Sequence, residues 1–128
     1  MISFPNAKVN LGLNIVGVRP NGYHDLETVF YPIELCDVLE IVPSRSGKTT
    51  LECYGRKVDC PMENNLVYKA FELMRKEFDV PAVEMYLYKH IPDGAGLGGG
   101  SSDASSALKM LNAIFSLGLS DGDLAKRA

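Results

Sequence analysis

The chain has 128 residues, 46% of them hydrophobic and 23% charged, which suits one globular domain with a real core. A formal net charge of −3 argues against a broad basic surface for nucleic acid, and three cysteines without a CxxC pair argue against a disulfide framework or a zinc site. Since no apolar run approaches the ~20 residues that span a bilayer, and the N-terminus lacks the regions of a signal peptide, we expect a cytoplasmic protein that binds neither nucleic acid nor membrane.

Apolar runs predict four strands in the first part of the chain. In the first of them, Val9, Leu11 and Leu13 alternate with polar residues, so one face should be buried and the other polar. The segment 19–22, Arg-Pro-Asn-Gly, is typical of a turn, and the segment 44–48 predicts a hairpin turn into the fourth strand. The predicted strands cover residues 8–16, 26–35, 38–42 and 49–54.

A helix and a further strand follow. The apolar spacing predicts a helix over residues 66–78, with Asn64 or Asn65 as its N-cap. Alternation of apolar and polar residues then predicts a strand over residues 83–88.

The last part of the chain predicts a second amphipathic helix that begins at Ser101 or Ser102, with Gly118 as a suitable C-cap. A Ser-x-x-Asp capping signal at 120–123 begins another helix close to the end of the chain. The order of strands, helix, strand and helix indicates an α+β fold rather than a regular βαβ wind.

A glycine-rich segment before the second helix carries most of the chemical information. Five glycines lie between residues 94 and 100, directly before the helix N-terminus. Glycine lets the backbone approach a ligand closely, and the free N–H groups and dipole of the helix favour an anion. The hydroxyls of Ser101 and Ser102 could also reach a phosphate. The segment therefore predicts a phosphate-binding loop rather than a flexible linker.

Two other phosphate-binding motifs fit this sequence less well. Gly-Lys-Thr at 47–49 resembles the end of a P-loop, but the earlier glycine of that motif would fall at Val42, inside a strand. The GxGxxG pattern at 94–99 is weak alone, because a dinucleotide site also needs a second strand with an acid about 20 residues on. The acids at that distance, Asp121 and Asp123, lie in a helix-start signal instead.

Four segments resemble motifs of the GHMP kinase superfamily. The segment 92–102 is similar to its phosphate loop, with a proline, a Gly-Leu-Gly core and serines that open a helix. The Gly-Gly-Gly-Ser-Ser-Asp ending resembles the branch that phosphorylates a cytidine diphosphate-linked methylerythritol. Ala-Lys-Val-Asn-Leu at 7–11, Gly-Tyr-His-Asp-Leu at 22–26 and Glu-Asn-Asn-Leu at 63–66 are similar to other motifs of that branch. The resemblance covers nearly the whole chain, with one small departure, Asn6, which follows Pro5 before Ala-Lys.

The resemblance implies the superfamily's N-terminal α+β domain, similar to ribosomal protein S5 domain 2, in a kinase that uses ATP and Mg²⁺. The implied reaction moves the γ-phosphoryl of ATP to the 2-hydroxyl of 4-diphosphocytidyl-2-C-methyl-D-erythritol, a step of non-mevalonate isoprenoid (terpenoid) biosynthesis. Lys8 is the implied catalytic residue, and no metal-binding residue is assigned. The implied ATP-binding residues are Pro92, Gly94, Ala95, Gly96, Leu97, Gly98, Gly99, Gly100, Ser101, Ser102, Asn65, Leu66 and Lys89. The implied substrate-binding residues are Asn10, Tyr23, His24 and Phe30.

The same side chains also have ordinary structural interpretations. Lys8 shares a polar strand face with Asn10, ~6.6–6.8 Å away, and could stabilise a migrating phosphoryl group or simply be solvated. His24 could be a general base, a substrate hydrogen-bond partner or a turn residue, and Phe30 could stack on cytosine or belong to the core. The residues placed around the adenine have alternatives too. Asn65 could be a helix cap, Leu66 a core leucine and Lys89 a solvated lysine.

The family carries its catalytic aspartate in a Gly-Ala/Ser-Asp segment, which this sequence does not contain. Asp103 is too close to the phosphate loop to replace it. We therefore expect residues 1–128 to be the N-terminal, ATP-binding domain of a longer kinase, truncated before the C-terminal domain and without useful activity alone. The alternatives are a nucleotide-binding fragment without catalysis and another small-molecule kinase of the superfamily. A homodimer is compatible with the sequence.

Overall fold

The computed structural model describes residues 1–18, 24–56, 61–92 and 96–127, with the backbone alone for residues 10–18 and 24–30. These residues form six strands and three helices, which confirms the predicted α+β class. The strands are β1 (Ile2–Ser3), β2 (Asn6–Val18), β3 (His24–Cys36), β4 (Val38–Pro43), β5 (Thr50–Gly55) and β6 (Val83–Lys89). The helices are α1 (Leu66–Phe78), α2 (Gly99–Ile114) and α3 (Asp121–Ala125), with a 3₁₀ turn over Met62–Asn64.

The main sheet has four strands in the order β1, β4, β6, β5. Leu87 of β6 lies between Leu39 of β4, which is antiparallel to it, and Cys53 of β5, which is parallel. The predicted hairpin across residues 44–48 is therefore wrong, because β6 inserts between the two strands that it was expected to join. A parallel pair needs a long crossover connection, and α1 lies in the connection between β5 and β6.

Strands β2 and β3 form a separate antiparallel pair. In its register Lys8 lies opposite Pro32, and Asn10 lies opposite Phe30. Both strands are longer than predicted, and register shifts interrupt the pairing at three places, so the ladder is not the regular one that strict alternation predicts. The predicted turn at 19–22 lies outside the described residues.

The hydrophobic core lies between one face of the main sheet and the helices α1 and α2. Alternate residues of β4 and β6 contribute to it, as do residues of both helices spaced three or four apart, which is the periodicity that the sequence shows. Its most buried members include Leu39, Ile41, Phe71, Met74, Met85, Leu87, Leu108 and Leu111. Among the described helices, none has the length and apolar character needed to cross a membrane.

Helix α2 ends earlier than predicted, with Phe115 as its C-cap instead of Gly118. The Asn112 side chain accepts a hydrogen bond from the N–H of Leu119 at 3.0 Å and donates one to its carbonyl at 3.1 Å. These bonds hold the following residues against the last turn in a non-helical path. The capping box predicted at 120–123 is confirmed.

Candidate functional site

The glycine segment leads directly into α2, as predicted, but the helix begins two residues before Ser101. Gly98 is the N-cap, with a φ of 69° that favours glycine, and Gly99 is the first helical residue. No described side chain caps this end of the helix. The N–H groups of the first turn therefore have no partner within the helix and point toward the loop.

An open cleft of about 250 Å³ lies in front of this helix N-terminus. Its walls are the glycine loop, the first turn of α2 and one side chain from the start of α1. The lining residues are Leu66, Pro92, Gly96, Leu97, Gly98, Gly99, Gly100 and Ser101, all of them predicted to bind ATP. Because exposed backbone N–H groups and a helix N-terminus attract anions, the cleft suits a phosphate chain. Ser102 is half-buried, and its N–H donates to the carbonyl of Gly98 at 3.0 Å.

Lys8 lies against this loop, although it is distant in sequence. Its N–H donates a hydrogen bond to the carbonyl of Leu97 at 2.9 Å. A Cβ atom placed on Gly98 would lie only 2.8 Å from Cε of Lys8. The backbone conformation favours glycine at this position, and a larger side chain would displace the lysine stem. The structure thus brings the predicted catalytic lysine to the predicted phosphate loop.

Asn65 and Leu66 begin α1 at the edge of the same cleft. The Asn65 Oδ1 atom accepts a hydrogen bond from the N–H of Val67 at 2.9 Å, so this side chain is a helix cap. Leu66 is 43% exposed, and a Cβ atom on Gly100 would lie 3.1 Å from its Cδ1 atom. The interpretation of Leu66 as a core leucine is therefore wrong. Contact of these two residues with adenine stays a prediction.

Lys89 is not the solvated lysine of its alternative interpretation. Its side chain is 2% exposed, and Nζ lies 2.7 Å from Oδ2 of Asp37 and 2.9 Å from Oδ2 of Asp103. The alternation of β6 accounts for its burial, since Lys89 follows Leu87 on the face that packs on the helices. The contact of Lys89 with ATP stays a prediction, and in the structure the partners of its side chain are the two buried carboxyls.

The three buried groups titrate differently. Burial opposes the charge on Asp37. Its interactions with Asp103, with the backbone N–H groups of Ile91 and His90 and with Lys89 nevertheless hold its pKa below the usual value. Burial likewise opposes the charge on Lys89, while the two carboxyls raise its pKa. Burial and the hydrogen bond with Asp37 raise the pKa of Asp103 to about 8. At neutral pH the cluster therefore holds one ammonium, one carboxylate and one largely protonated carboxyl.

Neither Asp37 nor Asp103 was predicted to matter for the site. Asp103 could have been found by extending the apolar stripe of α2 backwards, because it lies four residues before the buried Ala107. A carboxyl on a buried helix face needs a partner, and the alternation of β6 places Lys89 on the buried face as well. Asp37 lies in the junction between β3 and β4, where the sequence offers no comparable signal.

Other predicted site residues cannot be placed with their side chains. Gly94, Ala95 and Tyr23 lie outside the described residues. For Asn10, His24 and Phe30 the description covers the backbone, which places Asn10 opposite Phe30 in the β2–β3 pair.

The two competing phosphate motifs do not have the structure that they need. The Gly-Lys-Thr segment at 47–49 leads into strand β5, whereas a P-loop leads into a helix. After α2 the described chain continues into α3, so Asp121 and Asp123 do not follow the second strand that a dinucleotide site requires. Within the residues described here, no cluster of three or more His, Cys, Asp or Glu side chains could hold a metal ion.

Comparison with known proteins adds a family to this geometry. The family model described as GHMP kinases N terminal domain matches residues 65–128, half of the chain. The 4-diphosphocytidyl-2-C-methyl-D-erythritol kinase of Bacteroides thetaiotaomicron is 56% identical over 126 residues, which cover 97% of this chain and 46% of that protein. The kinase of the same name from Cytophaga hutchinsonii is 46% identical over 124 residues, which cover 97% of this chain and 45% of that protein.

Solved structures agree with the sequence relatives. A crystal structure of 4-(cytidine 5'-diphospho)-2C-methyl-D-erythritol kinase matches with a TM-score of 0.81 at 38% identity, over 98% of this chain and 45% of that one. A mevalonate kinase matches with a TM-score of 0.73 at 16% identity, over 99% of this chain and 44% of that one, a similarity of fold alone. The chain thus spans about half the length of the curated relatives that it matches.

Proposed function

The chain belongs to the GHMP kinases, through their N-terminal domain, and we propose that its glycine loop and Lys8 bind the triphosphate of ATP in a small-molecule kinase. The observation that carries this proposal is the position of Lys8, whose N–H and stem contact Leu97 and Gly98 at the start of α2. A lysine packed against a glycine loop at a helix N-terminus suits the polyanionic donor of a phosphoryl transfer.

The glycine loop and Lys8 would act through electrostatic interactions. The N–H groups of Gly99, Gly100 and Ser101 would donate hydrogen bonds to phosphate oxygens, with the positive end of the helix dipole behind them. Mg²⁺ would accompany ATP and neutralise part of the phosphate charge when bound. Lys8 would stabilise negative charge on the migrating phosphoryl group, at the point where the acceptor hydroxyl approaches. Phosphoryl transfer relies on such positioning and charge stabilisation more than on covalent chemistry.

For the acceptor we propose the 2-hydroxyl of 4-diphosphocytidyl-2-C-methyl-D-erythritol, which supports a role in non-mevalonate isoprenoid biosynthesis. Support comes from the names of relatives that are 46–56% identical to almost the whole chain. Because the chain spans under half of those proteins, the acceptor is a proposal for the whole protein. Asn10, Tyr23, His24 and Phe30 are proposed to bind the acceptor, and residues 1–128 to be its ATP-binding domain.

A phosphoryl-transfer assay tests the proposal. A version of the protein that spans the full length of its relatives is incubated with ATP, Mg²⁺ and the cytidine substrate, and products are identified by mass spectrometry. We expect equal amounts of ADP and of the cytidine substrate with one added phosphoryl group. Mevalonate and homoserine are tested as competing acceptors, and preference for either would contradict the proposed acceptor while leaving the kinase assignment intact.

The second candidate is a nucleotide-binding module without catalysis. It is favoured by the lining of the cleft, whose backbone N–H groups, apolar side chains and Ser101 can bind a phosphate chain without supplying a general base. ATP affinity without transfer, in both the 128-residue chain and the longer version, would select this candidate. If neither the 128-residue chain nor the longer version binds ATP, both candidate functions are contradicted.

A further inference from the structure

Three charged side chains meet in the interior behind the phosphate loop. Lys89 and Asp103 are each 2% exposed, and Asp37 is fully buried. The Lys89 ammonium donates to both carboxyls, at 2.7 Å to Oδ2 of Asp37 and at 2.9 Å to Oδ2 of Asp103. Each side chain comes from a different part of the fold: the β3–β4 junction, the end of β6 and the first turns of α2.

Asp37 connects the cluster to the two segments that approach the site. Its Oδ1 atom accepts hydrogen bonds from the N–H groups of His90 at 2.7 Å and Ile91 at 2.9 Å, just before the glycine loop. Its own N–H donates to the carbonyl of Pro5 at 2.8 Å, just before the strand that carries Lys8. The Asp37 side chain therefore anchors the approach to the loop, and the Asp37 backbone pairs with the segment that leads to Lys8.

The cluster also supports the first residue of α2 directly. A Cβ atom on Gly99 would lie 2.7 Å from Cγ2 of Ile91 and 3.4 Å from Nζ of Lys89. The helix N-terminus thus rests on the segment 89–91 with no room for a side chain. Asp103, about one turn further along the helix, is bound to the same ammonium.

Stability alone does not account for such a cluster. Removing two carboxyls and an ammonium from water is costly, and well-packed apolar side chains of similar volume often stabilise a core as well or better. What the hydrogen bonds add is direction, because each one fixes the relative position of two segments. The segments fixed here are those that carry Gly98, Gly99 and Lys8.

We propose that Asp37, Lys89 and Asp103 are positioning residues, which hold the first turn of α2 and the Lys8 strand in the arrangement that binds phosphate. The proposal rests on the proposed function for its link to ATP, and it assigns the Lys89 side chain a place behind the loop. Asp103 is the best residue to test, since its removal leaves Lys89 paired with Asp37.

The first experiment measures hydrogen exchange in the 128-residue chain. Asp103→Leu keeps the number and branching of the side-chain heavy atoms but has larger methyl groups and loses the hydrogen bond to Lys89, whereas Asp103→Asn keeps an oxygen that can accept it. We expect D103L to lower the protection of amides 102 and 103, which donate to the carbonyls of Gly98 and Gly99, about tenfold more than that of α1, and D103N to restore it. Met110→Ala, a buried change in the same helix away from the cluster, should lower protection without singling out the first turn.

The second experiment measures ATP affinity of the same variants by calorimetry. We expect D103L to bind about tenfold more weakly than the parent and D103N within about threefold of it, with M110A close to the parent. Equal loss of protection across α1 and α2 with unchanged affinity would overturn the proposal and leave the cluster a purely structural feature.

The two experiments also separate this proposal from the proposed function. If the parent chain does not bind ATP, the proposed function fails, and the exchange data still decide whether the cluster positions the first turn. If D103L does not fold, Lys89→Met combined with Asp103→Leu removes the buried ammonium together with the carboxyl, and the same two readouts apply. Undisturbed protection of amides 102 and 103 in that double variant would contradict the proposal.

Discussion

Helices α1 and α2 pack side by side on the sheet, yet they begin in opposite ways. Helix α1 begins after Asn65, whose extended backbone and capping side chain satisfy the N–H of Val67. Helix α2 begins after Gly98, in the left-handed region and without a described side-chain cap. A capped N-terminus needs no ligand, whereas an uncapped one in a glycine-lined cleft leaves donors for an anion. The comparison shows that the usual polar side-chain cap is missing at the helix N-terminus where phosphate is expected to bind.

The largest expected effect comes from removing the cation beside the uncapped helix. In a version that spans the full length of the relatives, Lys8→Ala should lower kcat about hundredfold or more, as expected for loss of a transition-state charge contact. Lys76→Ala, an exposed lysine near the end of α1, is the control and should leave kcat unchanged. Steady-state kinetics that show a change in KM alone would make Lys8 a binding residue instead.

The next effect concerns the glycine that starts α2. Gly98→Val introduces backbone strain and a clash with the Lys8 stem, so ATP affinity should fall about tenfold or more. Gly118→Val is a matched control, because Gly118 also has a positive φ, 71°, but nothing lies within 4 Å of its added Cβ atom. Both variants should lose stability, but calorimetry should find weaker ATP binding in Gly98→Val alone. Equal affinities for ATP would show that the loop is not the phosphate site.

A smaller effect should appear as a pH dependence behind α2. The pKa of Asp103 is raised to about 8 from 3.8, so the folded state holds a proton that the unfolded state releases between these values. Stability from this group is therefore complete below about pH 4 and is lost as the pH rises through about 8. Asp103→Asn has no carboxyl group to ionise. The melting temperature of this variant minus that of the parent should therefore rise by at least about 3 °C between pH 5 and pH 9. A constant difference between the two proteins would mean that Asp103 is ionised throughout.

The smallest effect concerns the capped helix. Asn65→Ala removes the side chain that caps α1 and should destabilise the protein by about 1 kcal/mol in urea unfolding. Asn64→Ala, at the exposed neighbouring position, should change stability by under about 0.5 kcal/mol. A loss of ATP affinity in N65A beyond the loss of stability would sharpen the comparison, since it would give the α1 cap a second role at the adenine.

The sequence predicts what local patterns determine and misses what distant segments decide. The limits of α1 and its Asn65 cap follow from apolar spacing and capping chemistry, so they were predictable. The insertion of β6 between β4 and β5 was not, because the residues at 44–48 have the same turn chemistry whichever strand pairs beyond them. Helix α2 begins two residues early, since Gly99 is held by packing on Ile91 and Lys89, which helix propensity does not register.

The site shows the same division between local and distant signals. The glycine loop was predictable from its composition, and the importance of Lys8 from the resemblance. The contact between Lys8 and Gly98 depends on how β2 packs on the loop, so it required the structure. The buried partners of Lys89 were missed because a lysine and two aspartates look exposed until the alternation of β6 and the stripe of α2 are followed to their ends.

The most direct test of the account is a titration of the isotope-labelled chain with inorganic triphosphate, followed by amide NMR shifts. Triphosphate lacks adenine, so it reports on the phosphate site alone. We predict saturable shifts of the Gly98, Gly99, Gly100 and Ser101 amides that are larger than any shift of the first-turn amides of α1, because Asn65 already caps that helix. Shifts that are confined to α1, or that do not saturate at either helix, would contradict the claim that the uncapped start of α2 is a phosphate site.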